Sequence, residues 1–120
     1  MSSQNIVRIF FWLLLGVILV ISTMPAEDAP TVFADDKLNH ILAFFILSLM
    51  ARILWPRVNV VILFVMLMVF GGSIELLQLV MGFGRDADWM DFGADIIAIA
   101  MGTLSAHGLN HMRSKIATIE

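Results

Sequence analysis

The sequence predicts an all-α, polytopic membrane protein, a single domain over residues 1–120 whose four transmembrane helices form an antiparallel bundle. Three observations lead there. The chain is 60% hydrophobic and 14% charged with a mean hydropathy of +0.94, whereas soluble domains carry roughly 45 to 50% apolar residues. The surplus requires lipid as solvent. The apolar residues gather in four runs, each close to the about 20 residues that a helix needs to cross the hydrocarbon core. The last three runs are joined by links so short that neighbours must run antiparallel.

The first run, 6–24, is broken only by Arg8, Ser22 and Thr23. Its middle has the length of a signal-peptide core, but Ser22, Thr23, Met24 and Pro25 make a poor cleavage site, so a retained span is expected. The second run, 38–55, is polar near both ends, with Asn39 and His40 at its start, Ser48 within and Arg52 towards its finish. Asp35 or Asp36 stands where an N-cap is needed. Trp55-Pro56-Arg57 turns the chain into the third run, 58–81, whose first half is apolar apart from Asn59 and whose second half holds Glu75 and Gln78. Gly82 and Gly84 lend the next link flexibility, Asp88 offers a cap, and the fourth run, 89–109, begins at Trp89.

Lysine and arginine concentrate on the cytoplasmic side of membrane proteins. With the N-terminus inside, Arg8, Arg52, Arg57, Arg113 and Lys115 fall there, against Lys37 and Arg85 outside. A multi-pass protein of the cytoplasmic membrane with both termini in the cytoplasm is therefore expected. Trp12 and Trp55 then lie near the inner interface and Trp89 near the outer one. Seven basic residues against ten acidic ones, a net charge of −3, leave no basic stripe for nucleic acid. With no cysteine there is no disulfide framework, thiolate nucleophile or thiolate zinc site. Membrane lipids are the expected partners, and no cofactor is expected.

This topology places His40, Glu75, Gln78, Asp91 and Asp95 at one depth, beneath the outer interface. Glu75 and Gln78 are three residues apart and Asp91 and Asp95 four, so each pair shares a helix face. A charge at the bilayer centre costs on the order of 2.5 to 3.5 kcal/mol even on a lenient scale. These stripes should therefore face inward. His40, Lys37 and Arg85 lie at the same level and are candidate partners for Glu75, Arg85 through a planar fork that suits a carboxylate.

The ligand-binding candidates are thus Lys37, His40, Glu75, Gln78, Arg85, Asp91 and Asp95. No catalytic residue is assigned. Structural uses compete: Asp88 as an N-cap, Asp91 at a helix start, Lys37 snorkelling, His40 as an interhelical hydrogen bond. Glu75 and Asp95 are the hardest to explain in that way. His107 and His111 share a face but have no third ligand nearby, so no metal site is expected. Ala94, Ala98, Gly102 and Ala106 recur every four residues, a small-residue stripe suited to packing within the bundle or to a homo-oligomer seam.

The order of these residues resembles the VanZ-like family of small bacterial membrane proteins, named after a teicoplanin-resistance accessory protein. Asp36-Lys37-Leu38-Asn39-His40 with Phe44 looks like that family's D-K-x-x-H-x-x-x-F signature. Glu75-x-x-Gln78, then Arg85, Asp88, Asp91 and Gly102, looks like its second motif, and Pro25 matches a proline after the first span. The resemblance runs from Pro25 to about Gly102 and departs at Asp95, where asparagine is expected, and at Ala98, where glycine is.

It implies a bacterial cytoplasmic-membrane protein with a role in glycopeptide resistance or the envelope. It delivers no reaction. Taken with the polar cluster, it leads to a non-enzymatic binder holding a lipid or lipoglycopeptide-type amphiphile at the outer leaflet. The alternative is a membrane enzyme using the histidine and carboxylates on a lipid-linked substrate, alone or with a divalent cation. A proton or cation pathway is disfavoured because no carboxylate lies in the inner half of any span, where the uncharged polar residues are Ser48, Asn59, Thr103 and Ser105.

Overall fold

Helices α1 (Ser3–Thr23), α2 (Asp36–Leu54), α3 (Val60–Met81) and α4 (Trp89–Ile119) occupy the four apolar runs. Each is long and apolar enough to cross a membrane, and no strand occurs among the described residues. The structure, a computed structural model, describes residues 2–25, 27–30, 32, 36–82 and 89–119, and among these not the side chains of 36 and 117–119. Asp35 and Asp88, two expected caps, lie outside the described residues, as does the side chain of Asp36.

Local chemistry sets the remaining ends. Helix α1 starts earlier than its apolar run because Ser2 Oγ accepts the Asn5 amide at 3.2 Å, and it stops at Thr23, ahead of Pro25. Asn59 is a cap and not a polar intruder in the third span: its Oδ1 accepts the Val61 amide at 2.8 Å. Helix α3 ends on Gly82, whose φ of +63° is the left-handed geometry that glycine adopts without strain. Helix α4 continues to Ile119 and does not stop near Leu109. Leu109 marks where hydropathy fades, not where helicity does, and beyond it His111, Arg113 and Lys115 are exposed on a continuing helix.

Long-range contacts give the topology. Arg8 Nη2 donates to the Leu54 carbonyl at 3.1 Å, and Trp12 and Trp55 meet edge to face, so the start of α1 lies beside the end of α2. At the opposite end Gln78 Nε2 donates to the Ser22 carbonyl at 2.9 Å. Helices α1 and α3 therefore run one way, and α2 and α4 the other. Arg52 Nη1 donates to the Val58 carbonyl at 2.7 Å, and the Arg8 guanidinium sits 5.4 Å from the centre of the Trp55 ring. Both arginines thus bind carbonyls that a helix end or link leaves without an intrahelical donor, groups that lipid cannot satisfy.

The closest pairing is α2 with α4. The stripe on α4 makes it possible: Ala98, Gly102 and Ala106 are buried, and a Cβ at Gly102 would stand 2.6 Å from the Phe45 carbonyl oxygen and overlap Ser48. The stripe serves internal packing, and a seam between two copies on those residues would require the bundle to open. Helix α1 is peripheral, with Phe11 its one buried residue, and it does not touch α4 among the described residues. The outward faces are apolar, for example Phe10, Leu13 and Val20 on α1, Val69 and Val80 on α3, and Leu104 on α4. Hydrocarbon is the medium that such a surface fits.

Gly102→Ala is expected to destabilise the bundle by about 1 to 3 kcal/mol because the backbone opposite cannot retreat. Gly16→Ala, which meets nothing within 4 Å, is expected to leave stability unchanged or slightly raised. Thermal unfolding in detergent micelles compares the two.

Candidate functional site

Three helices converge on one buried polar cluster. His40 lies one turn into α2, Glu75 and Gln78 occupy the last two turns of α3, and Asp91 and Asp95 the first two of α4. All five are buried, and Glu75 and Asp95 are 0% exposed. Because these positions sit at the same end of antiparallel helices, the i, i+3 and i, i+4 spacings turn both pairs of side chains into one interior.

His40 Nδ1 lies 3.0 Å from Asp95 Oδ1. An ionised Asp95 accepts the Nδ1–H proton and fixes the ring's orientation. Phe44, one turn further along α2 and itself buried, lies nearly parallel to the imidazole at 12°, with ring centres 6.5 Å apart. Glu75 completes the group: one ligand atom from each of His40, Glu75 and Asp95 lies within 4.8 Å of the others. The close approach of α3 depends on Gly71, one turn before Glu75. A Cβ there would stand 3.0 Å from Asp95 Oδ2 and 3.3 Å from Phe44.

The other candidates surround this centre. Lys37 Nζ is 3.7 Å from Asp91 Oδ1, with side chains 38% and 11% exposed, so this ion pair sits at the rim. Of the partners expected for Glu75, His40 lies in the same cluster, and Lys37 reaches Asp91 on its more exposed side. Gln78 ties α3 to the last turn of α1 through Ser22. Arg85 lies outside the described residues. Beneath the cluster Leu47, Ala51, Leu54 and Leu67 form a buried apolar core. Ser48 and Thr103 are buried, and Ser48 Oγ donates back to the Phe45 carbonyl.

Two crevices flank α1, where the bundle is least packed. One, of about 250 Å³, lies between α1 and α2, with apolar walls that include Leu14, Ile18 and Ala43 and polar groups from Ser22, Asn39 and His40. The other, of about 270 Å³, lies towards the tryptophan end between Phe11, Trp12, Trp55 and α3, and every residue lining it is apolar. His40 belongs both to the first crevice and to the buried triad.

Gly71 and Ser22 went unnoticed in the sequence. Gly71 had a readable signal, a glycine pair with Gly72 inside an apolar helix and four residues before a buried glutamate. The Ser22 contact is made by a backbone carbonyl, which has no signature in sequence. Comparison with protein-family models, curated proteins and solved structures finds no match.

The His40–Asp95 contact is expected to be thermodynamically coupled. His40→Leu or Asp95→Leu alone, each leaving a buried partner behind, should destabilise by about 3 to 5 kcal/mol. The double variant should lose about 1 to 3 kcal/mol less than the sum. Additive losses in detergent unfolding experiments would show that the pair does not interact.

Proposed function

We propose that this chain is a VanZ-like protein of the bacterial cytoplasmic membrane that binds a lipid or lipoglycopeptide-type amphiphile at the outer leaflet. The observation that carries this reading is the double position of His40, in the wall of an apolar crevice and in a buried polar cluster. An amphiphile needs that juxtaposition, a greasy slot for its chain and hydrogen-bonding groups for its head. Drug-sized ligands occupy about 300 to 1,000 Å³. A crevice of about 250 Å³ therefore matches part of one acyl chain, the remainder of which can stay among the surrounding lipids. Lys37 and Asp91 at the rim offer charges of both signs to a head group.

The orientation that goes with this reading puts the cluster outside and both termini in the cytoplasm. It rests on Arg8, Arg52, Arg57, Arg113 and Lys115 outnumbering Lys37 and Arg85. The order of Asp36, Lys37, His40 and Phe44, then Glu75, Gln78 and Asp91, supports the family assignment and, through it, a role in glycopeptide response or envelope function.

A second reading, an enzyme acting on a lipid-linked substrate, is favoured by the Asp95 carboxylate at His40 Nδ1, an arrangement that orients a catalytic imidazole. Lipid turnover lost in His40→Ala would promote it.

Lipids carrying a photoreactive group in the acyl chain are expected to cross-link to residues of α1 and α2 that line the first crevice. Ala43→Phe fills that space and should lower the yield several-fold while circular dichroism stays unchanged. Equal labelling of both proteins, or labelling spread evenly over the outer surface, defeats the binding reading.

A further inference from the structure

We propose that His40, Glu75 and Asp95 are the protein ligands of a divalent transition-metal site, one from each of α2, α3 and α4. The sequence offered a divalent cation at the histidine and carboxylates only as part of the enzyme alternative and assigned no ligands; the fold brings three donors together. This inference does not rest on the amphiphile reading.

The donor set points to the metal class. One imidazole nitrogen and two carboxylate oxygens suit zinc or manganese. Magnesium and calcium favour shells made of oxygen, so an imidazole ligand argues against both. In a tetrahedral shell, zinc–nitrogen and zinc–oxygen bonds of about 2.0 to 2.2 Å place ligand atoms roughly 3.3 to 3.6 Å apart. His40 Nδ1 and Asp95 Oδ1, 3.0 Å apart, need to separate by only about 0.5 Å to admit the ion. All three donors lie within 4.8 Å of one another, so closing the set takes side-chain shifts of about 1 Å.

Gly71 leaves space beside Asp95. A side chain there would press on Asp95 Oδ2 at 3.0 Å and on Phe44 at 3.3 Å. The glycine lets the backbone of α3 come close while keeping room around the carboxylate that faces it. Burial adds the electrostatic reason: two carboxylates held 0% exposed in a membrane-spanning bundle are a favourable environment for a dication, which lipid and apolar core would otherwise repel. Three protein ligands leave a coordination position over, as in zinc sites that bind water or substrate. His40 connects the triad to the α1–α2 crevice, which gives an exchangeable ligand a side from which to arrive.

The test uses the full chain purified in detergent, stripped with a chelator and titrated with Zn²⁺, Mn²⁺ or Mg²⁺ with no amphiphile added. Zn²⁺ or Mn²⁺ should raise the melting temperature, and elemental analysis after desalting should find about one equivalent per chain, as one three-ligand site requires. Mg²⁺ should do neither. Glu75→Gln and Asp95→Asn should each weaken binding by more than about 100-fold, beyond what loss of an outer-shell group does. A His107→Ala/His111→Ala double variant should keep the full equivalent. If the ligand variants do not fold, Co²⁺ loaded into the wild-type chain decides, since its visible absorption reports mixed nitrogen and oxygen coordination.

No binding and no thermal shift with Zn²⁺ or Mn²⁺ overturns the proposal, leaving a hydrogen-bonded triad. So does loss of the metal in the His107/His111 variant. Ala43→Phe separates the two readings, because it should lower acyl-chain labelling several-fold and retain the metal.

Discussion

Hydrocarbon offers no hydrogen bonds, so every polar group that the chain carries into a membrane must find its partner within the chain. The architecture follows from where those partners are. At one end Arg8 and Arg52 satisfy carbonyls at the end of α2 and in the link that follows. At the other, Gln78 satisfies the end of α1, and Asp95 holds His40. Between them the helices meet through apolar side chains that do not differ much from lipid tails in what they offer. The polar contacts at the two ends therefore fix which helices are neighbours, and the small residues of α4 fix how close α2 can come.

The same constraint explains why α1 is the odd helix. It is anchored at its two ends, by Arg8 with the Phe11–Trp12–Trp55 aromatic group and by the Ser22 carbonyl, while its middle packs loosely enough to leave a crevice on each side. Helix α1 is thus tied at both ends and loose in between. The tight α2–α4 pair on the far side holds His40 and Asp95 in register. Tight and loose packing are thus divided between different parts of one small bundle, and His40 lies in both the buried cluster and the wall of a crevice.

Arginines that the positive-inside pattern reads only as topological charges have a second use here. Arg8 and Arg52 sit at the boundary where helix ends release their carbonyls, so the same guanidinium can bias orientation and close a backbone hydrogen bond. Lys37 pairs at the rim with Asp91, and the deeper Glu75 and Asp95 share the interior with an imidazole. Depth, more than charge sign, sorts the ionisable groups. Long side chains that can reach water stay at the edge, and short ones with a fixed reach are placed where their helix puts them.

Hydropathy and link length by themselves established the four spans and their alternation. Side-chain spacing established that His40, Glu75, Gln78, Asp91 and Asp95 lie at one level and that each pair shares a face. These are local properties, set by the rise and twist of a single helix and by the thickness of the membrane. Which of those residues touch was decided only by the tertiary structure. Lys37 meets Asp91, Glu75 joins His40 and Asp95, Asn59 caps instead of spanning, and the α4 stripe packs on α2, because rotation about each helix axis and the approach at Gly71 and Gly102 depend on all four helices packing at once.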